Sequence, residues 1–190
     1  MSNPQKAWGV GGRFVAFAVG SKVVYPSHGV AQIVRREKRV LDGKKQEYLI
    51  LEVPQQGWGT SGAMTVSVPE DRAEGLGVRP AISKADATEV LDLLSVRDVR
   101  VPANWSRRFK NHQEKLKSGD VYQCAEVVRN LAARLREKSL SAAEQSMYAK
   151  ARYILISELA VSWNVDDEKA AARVDAALGL PDDAAPVKTA

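Results

Sequence analysis

The hydrophobic period of this chain changes near its middle, and that change constrains the fold more than any other feature. Up to about residue 68, short β-branched and aromatic runs alternate with turn residues, which is typical of antiparallel strands. From about Ile82 onward, apolar residues recur every three or four positions, which indicates helices. The sequence therefore predicts an α+β fold, with a small antiparallel β domain followed by an all-α domain.

Four runs in the first part read as strands, at 23–25, 30–34, 48–53 and 64–68. Asp42-Gly43 predicts a tight type I′ hairpin, because both central residues of that turn need positive φ. The glycine-rich stretch 54–63, which carries Trp58, is expected to be a long loop.

From residue 83 onward, the sequence carries the signals of five helices. We expect one helix at 83–94, a second that Asn104 caps and that ends near Gly119, and a third after Asp120. Ser141 and Glu144 form a capping box that opens a long fourth helix, and negative charge at 166–168 marks the start of a fifth. The resulting division is a flexible extension at 1–13, a β domain at 14–75, a helical domain at 76–180 and a disordered tail at 181–190.

Composition and motifs exclude several classes of function. A single cysteine, Cys124, cannot form an internal disulfide, and the apolar run 14–19 is too short for a membrane span, so we expect a cytoplasmic protein. His28 and His112 lack partners at metal-ligand spacing, and no phosphate-binding or dinucleotide-binding loop is present. We expect no cofactor, no metal and no enzymatic activity.

The stretch Asn104-Trp105-Ser106-Arg107-Arg108-Phe109-Lys110 carries the main functional signal. Between residues 97 and 117, seven basic residues face two acidic ones, and this surplus equals the net charge of +5 of the whole chain. A local basic segment favours a polyanion as partner, with nucleic acid ahead of an anionic membrane. An indole at a helix start can also wedge between bases, although packing in the core is the alternative for Trp105. Phe109 is expected in the core.

Several segments together resemble the CarD family of bacterial transcription regulators (CarD/CdnL). The match runs from about Phe17 to Leu178, and its order and spacing across both domains make it specific. The matching stretches are VGSKVVYP at 19–26, HG at 28–29, EYLIL at 47–51, TVSVP at 65–69, GVR at 77–79, NWSRRFK at 104–110, SGDV at 118–121, AEVVR at 125–129 and AKAR at 149–152.

The resemblance implies a Tudor-like β-barrel domain that binds the β subunit of RNA polymerase, partly by strand pairing. It also implies a helical domain that contacts promoter DNA at the upstream fork of the transcription bubble. There a tryptophan wedges into the minor groove and stabilises the open complex formed with the principal sigma factor. Such a protein would be a monomer in the cytoplasm, associated with the nucleoid through RNA polymerase, and would have no membrane partner.

Carried over by motif, the resemblance gives DNA-binding roles to six residues: Trp105, Arg107, Arg108, Lys110, Lys150 and Arg152. It also gives polymerase-binding positions to Arg39 and Ser67. Relatives often carry arginine where this chain has Ser67. Two other readings stay open. One is a general DNA-binding or architectural protein without a polymerase partner, and the other is a Tudor-like adaptor that binds a peptide.

Overall fold

A computed structural model describes residues 17–41, 44–54, 62–97 and 104–180. Within them, four strands are followed by five helices, so the predicted α+β class is confirmed. The predicted extension at 1–13, the hairpin turn at 42–43, most of the loop at 54–63 and the tail at 181–190 lie outside the described residues.

The strands form one antiparallel sheet in the order β1-β2-β3-β4. Their bounds are β1 Lys22–Tyr25, β2 Gly29–Leu41, β3 Lys44–Pro54 and β4 Ala63–Pro69. In the described part of the sheet β1 and β4 do not pair with each other, so the sheet is an open half-barrel with two edges. All four predicted strands are present, and β2 ends at Leu41 and β3 begins at Lys44, on either side of the predicted hairpin turn.

Alternation along the strands builds the core of the β domain. Leu49, Leu51 and Val53 alternate on β3 and are buried, and Ile33 of β2 packs in the same cluster. The register between β2 and β3 shifts between Ile33 and Arg35. The charged second half of β2 lies beyond this irregularity, and that half is held by ladder pairing with β3 rather than by apolar burial.

All five predicted helices are present: α1 Lys84–Ser95, α2 Trp105–Lys117, α3 Val121–Glu137, α4 Ala142–Trp163 and α5 Asp167–Leu178. The caps explain their starts. Asn104 accepts a hydrogen bond from the Arg107 amide, and Asp120 caps α3 in the same way. The capping box of Ser141 and Glu144 is complete, as predicted.

The helical core is formed mainly by the apolar faces of α1, α3, α4 and α5. Cys124 is buried there, as its position on the apolar side of α3 predicted, and burial raises the pKa of its thiol to about 12. Leu135 departs from the predicted stripe, because 39% of it is exposed near the end of α3. Within the described residues, no helix is long and apolar enough to cross a membrane.

Direct hydrogen bonds join the sheet and the segment after it to the helices. The amide of Val30 donates to the Ser157 hydroxyl group at 3.3 Å. Arg79, which follows the last strand, forms a bidentate ion pair with the buried carboxylate of Glu158 and also donates to the Gly119 carbonyl at 3.0 Å. These contacts fix the orientation of the sheet on the helices. The predicted domain limits stay predictions, but the last strand ends at Pro69 and α1 begins at Lys84.

Candidate nucleic-acid interface

Trp105 is the first residue of α2 and lies at the surface. It directly follows the N-cap residue Asn104, and 45% of it is exposed. The ring stacks on Phe109 one turn later, with centroids 5.2 Å apart and planes inclined by 18°. Phe109 is half-buried and packs against the helical core. A partly exposed aromatic pair, anchored at one end, therefore forms the start of α2.

Arg108 does not lie on this surface. It is only 2% exposed, and its guanidinium donates to the buried carboxylate of Glu144 on α4 at 2.8 and 3.1 Å. Position explains the difference, since the helical period turns Arg108 towards α4 while Arg107 and Lys110 face outward. The geometry thus gives Arg108 a structural role, and it does not belong to the interface that we infer.

Part of the basic stretch forms bonds within the protein. Lys115 pairs with Glu126, and Arg97 donates to main-chain carbonyls at the end of α5, including that of Ala177 at 3.0 Å. Asp98 and Arg100, which were part of the counted surplus, lie outside the described residues. The surplus of charge in the sequence is therefore only partly a surface patch.

Three cations of α2 are exposed: Arg107, Lys110 and Lys117. The Lys110 side chain is 77% exposed, and its amine lies 3.9 Å from the Glu114 carboxylate, which is too far for a strong pair. Lys117 was not among the predicted site residues. Its distance of seven positions from Lys110 places both on one helix face, and this spacing could have identified it.

A shallow groove between α2 and α4 extends this surface. Phe109, Lys117, Met147 and Lys150 line it, together with Ser27 from the β domain. Partial burial lowers the pKa of Lys150, because desolvation penalises its charged form. An anion in the groove would offset that penalty. Lys150 therefore shares this groove with Lys117, one of the exposed cations of α2.

Arg152 lies elsewhere. It forms a bidentate ion pair with Asp175 of α5, with one of its nitrogens 2.7 Å from a carboxylate oxygen, and its side chain is 21% exposed. The pair joins α4 to α5. Its neighbour Lys150 lines the groove, but Arg152 is not among the residues that line it.

The two predicted polymerase-binding positions lie side by side on the β domain. Arg39 of β2 donates to the Ser67 hydroxyl group of β4 at 3.2 Å. Its guanidinium carbon lies over the Tyr48 ring, 4.9 Å from the ring centroid. It also pairs with Glu37 at 2.7 Å. These side chains form one polar surface near β4, an edge strand of the sheet. Sequence alone could not show that Arg39 and Ser67 are in contact.

The two histidines lie in different surroundings. His28 contacts the Pro26 carbonyl at 2.9 Å within its turn. His112 is on the buried face of α2, its Nδ1 lacks a hydrogen-bond partner, and burial lowers its pKa to about 4. Among the described residues, no group of three histidine, cysteine or acidic side chains could hold a metal ion.

Comparisons with known proteins agree with this architecture. Residues 17–82 match the family model of the CarD-like/TRCF RID domain, and residues 89–175 match that of the CarD C-terminal domain. The chain is also similar to the "Putative transcription factor YdeB" of Bacillus subtilis (strain 168). The two are 28% identical over 153 residues, which cover 80% of this chain and 96% of that protein.

The two family models follow each other in the order of the sheet and the helices. The first covers the four strands and the polar surface around Arg39. The second covers α2 and every residue that lines the groove except Ser27. The chain therefore belongs to the CarD family.

Proposed function

We propose that this protein is a non-enzymatic transcription regulator that binds the β subunit of RNA polymerase and promoter DNA at the upstream fork of the bubble. Its β domain would hold the polymerase, and its helical domain would oppose closure of the melted DNA. Binding is sufficient for this role. A ligand that prefers the open form shifts the equilibrium by its difference in affinity, and about 1.4 kcal/mol corresponds to tenfold.

The exposed indole of Trp105 is the observation that carries the proposal. It lies at the first turn of α2, where no other part of the described structure covers it completely. Apolar side chains that enter the minor groove unstack base pairs and favour already distorted DNA over intact duplex. The stack on Phe109 supports the inner face of the ring and leaves its outer part accessible.

The surrounding cations fit DNA phosphates without reading sequence. Arg107, Lys110 and Lys117 are exposed on α2, and Lys150 lines the adjoining groove. Phosphate contacts of this kind add affinity and salt dependence but carry no direct sequence information. The predicted contact by Arg152 would require its pair with Asp175 to rearrange, so we assign it at most a supporting role.

The β domain offers two features that suit a protein partner. Strand β4 is an edge of the sheet, and an edge can extend by pairing with a strand of another protein. Arg39 and Ser67 place a cation and a hydroxyl group beside that edge. Main-chain pairing depends little on individual side chains, which would allow serine at position 67 in place of arginine.

The contact between the two domains supports separate roles for them, one in binding polymerase and the other in binding DNA. Arg79 and Glu158 join the segment after the sheet to α4, and α4 also lines the groove that Phe109, the stacking partner of Trp105, enters. A β domain held in one orientation can deliver the indole to a fixed point upstream of the polymerase. The local concentration of the wedge then becomes high, so that weak DNA binding is enough.

Replacement of Trp105 tests the proposal. We expect Trp105→Ala to fold and to bind polymerase, while the lifetime of the open complex on a slowly melting promoter falls towards that without the protein. Trp163→Phe is the matched control, because Trp163 packs against the helical core and lies at the far end of α4. An unchanged lifetime of the open complex with Trp105→Ala would contradict the proposed mechanism.

A pull-down from nuclease-treated lysate distinguishes the remaining alternatives. Retention of the RNA polymerase β subunit supports the proposal. Loss of all partners would instead indicate a general DNA-binding protein, and capture of an unrelated protein would indicate a peptide-binding adaptor.

A further inference from the structure

We propose that Ser141 is a positioning residue for Trp105, a role that rests on the proposed function of the indole. The Ser141 hydroxyl group connects the ring to a buried ion pair behind it. Through that connection the first turn of α4 would hold the indole in one orientation before DNA arrives.

The contact begins at the indole nitrogen. Trp105 Nε1 donates to the Ser141 Oγ over 3.4 Å, which is long for a hydrogen bond and individually weak. The same hydroxyl group donates to Glu144 Oε2 at 2.9 Å and accepts from the Glu144 amide at 3.3 Å. One donor and two acceptor positions of the hydroxyl are thereby all used. Its orientation is fixed by the capping box, and the indole occupies the remaining lone pair.

The carboxylate behind Ser141 is held firmly. Glu144 Oε1 accepts from Arg108, and the Ser141 hydroxyl binds the other oxygen. Burial alone would raise the pKa of Glu144, but the bonds from Arg108 and Ser141 outweigh burial and lower it, so the group stays charged. A charged acceptor polarises the hydroxyl group and makes its oxygen a better partner for the indole.

The network forms a closed link between two helix starts. Trp105 and Arg108 lie in the first turn of α2, and Ser141 and Glu144 lie at the start of α4. The ring is therefore restrained at two places, by its stack on Phe109 and by its nitrogen. A side chain that is ordered before binding loses less entropy on binding, which strengthens the interaction with the fork.

The arrangement also limits what the indole can recognise. Acceptors on base edges line the minor groove, and a free indole N–H could donate to them. Here that donor faces Ser141, so the exposed part of the ring is apolar. The wedge would thus act by shape and stacking, with little preference for the base pair that it meets.

Two substitutions at Ser141 separate this role from helix capping. Ser141→Ala removes the hydroxyl group, while Ser141→Thr keeps both the hydroxyl and the cap. Ser83→Ala is the matched control, because Ser83 forms the same kind of capping box with Asp86 at the start of α1. We expect Ser83→Ala to lower the free energy of unfolding by a similar amount and to leave Trp105 unaffected.

The first measurement does not depend on transcription. In a background with Trp8, Trp58 and Trp163 replaced by phenylalanine, time-resolved fluorescence anisotropy reports on Trp105 alone. We expect Ser141→Ala to increase the amplitude of nanosecond motion of the indole, and Ser141→Thr and Ser83→Ala to leave it unchanged. Equal motion in all four proteins would overturn the proposal.

The second measurement is the lifetime of the open complex. Loss of preorganisation should shorten it by about two- to tenfold in Ser141→Ala, with no loss in Ser83→Ala. In a Trp105→Ala background, Ser141→Ala should have no further effect, and a further loss would contradict action through the indole. If Trp105→Ala itself changes nothing while the anisotropy still responds, the proposed function fails and the positioning contact stands.

Discussion

The guanidinium of Arg108 lies 2.8 Å from the carboxylate of Glu144, and both side chains are almost fully buried. Without Arg108, the buried carboxylate would keep only its bonds from Ser141 and a more distant contact with Arg134 at 3.6 Å, so its charge would be poorly compensated. We expect Arg108→Leu to lower the free energy of unfolding by about 3–5 kcal/mol, measured by urea denaturation.

The double variant Arg108→Leu/Glu144→Gln serves as the control for this pair. Glutamine is neutral and can still complete a capping box with Ser141, so part of the lost stability should return. A double variant as unstable as the sum of the two single variants would show that the two groups do not act as a pair.

Stability should also depend on pH through His112, because burial lowers its pKa from 6.5 to about 4. The unfolded chain then binds more protons between these values. Above pH 6.5, His112 is neutral in both states and does not reduce the free energy of unfolding. As the pH falls from 6.5 towards 4, the unfolded state binds the proton first, and the free energy of unfolding falls by up to about 3 kcal/mol. His112→Leu should flatten this part of the stability curve. Parallel curves for the two proteins between pH 4 and 6.5 would contradict the assignment.

Charge reversal on α2 should change the salt dependence of DNA binding. Each phosphate contact contributes about 0.9 to the slope of log affinity against log salt, so Arg107→Glu should reduce the slope by about 1. Lys84→Glu is the control, because Lys84 is exposed on α1, which lends no residue to the proposed interface. The slopes of both variants are measured from the binding of fork DNA at several salt concentrations. A wild-type slope for Arg107→Glu would show that Arg107 faces bulk solvent and makes no phosphate contact.

The polymerase-facing surface can be tested on β2 with two adjacent residues. Arg39 and Lys38 are both exposed, but successive side chains on a strand point to opposite faces. Arg39 contacts Ser67, whereas Lys38 pairs with Glu47 at 3.2 Å. We expect Arg39→Glu to weaken binding to the isolated β subunit several-fold in a titration and Lys38→Glu to leave it unchanged. Equal effects would indicate long-range charge rather than a contact.

Much of the fold could be predicted because its local signals agree with each other. The strands alternate with period two, the helices carry apolar stripes, and caps such as Asn104 and Ser141 mark where helices begin. The apolar pattern alone would end β2 near residue 34, but the hairpin signal at Asp42-Gly43 predicted a strand before the turn, and ladder pairing with β3 holds that charged half of β2.

The candidate site was only partly predictable, because residue type does not give direction. Sequence grouped Arg107 and Arg108 as equivalent cations, yet one is exposed and the other is 2% exposed in an ion pair. It also identified Ser141 as a helix cap without any sign that its hydroxyl group meets the indole, since these residues are 36 positions apart.

The sequence by itself determined the order of two domains, the starts of the helices and the presence of a tryptophan beside cations, since all of these follow from neighbouring residues. Tertiary structure decided which of those cations meet solvent and what holds the tryptophan in place. The physical reason is that a buried charge must find its partner in space, and Glu144 comes from another helix to meet Arg108.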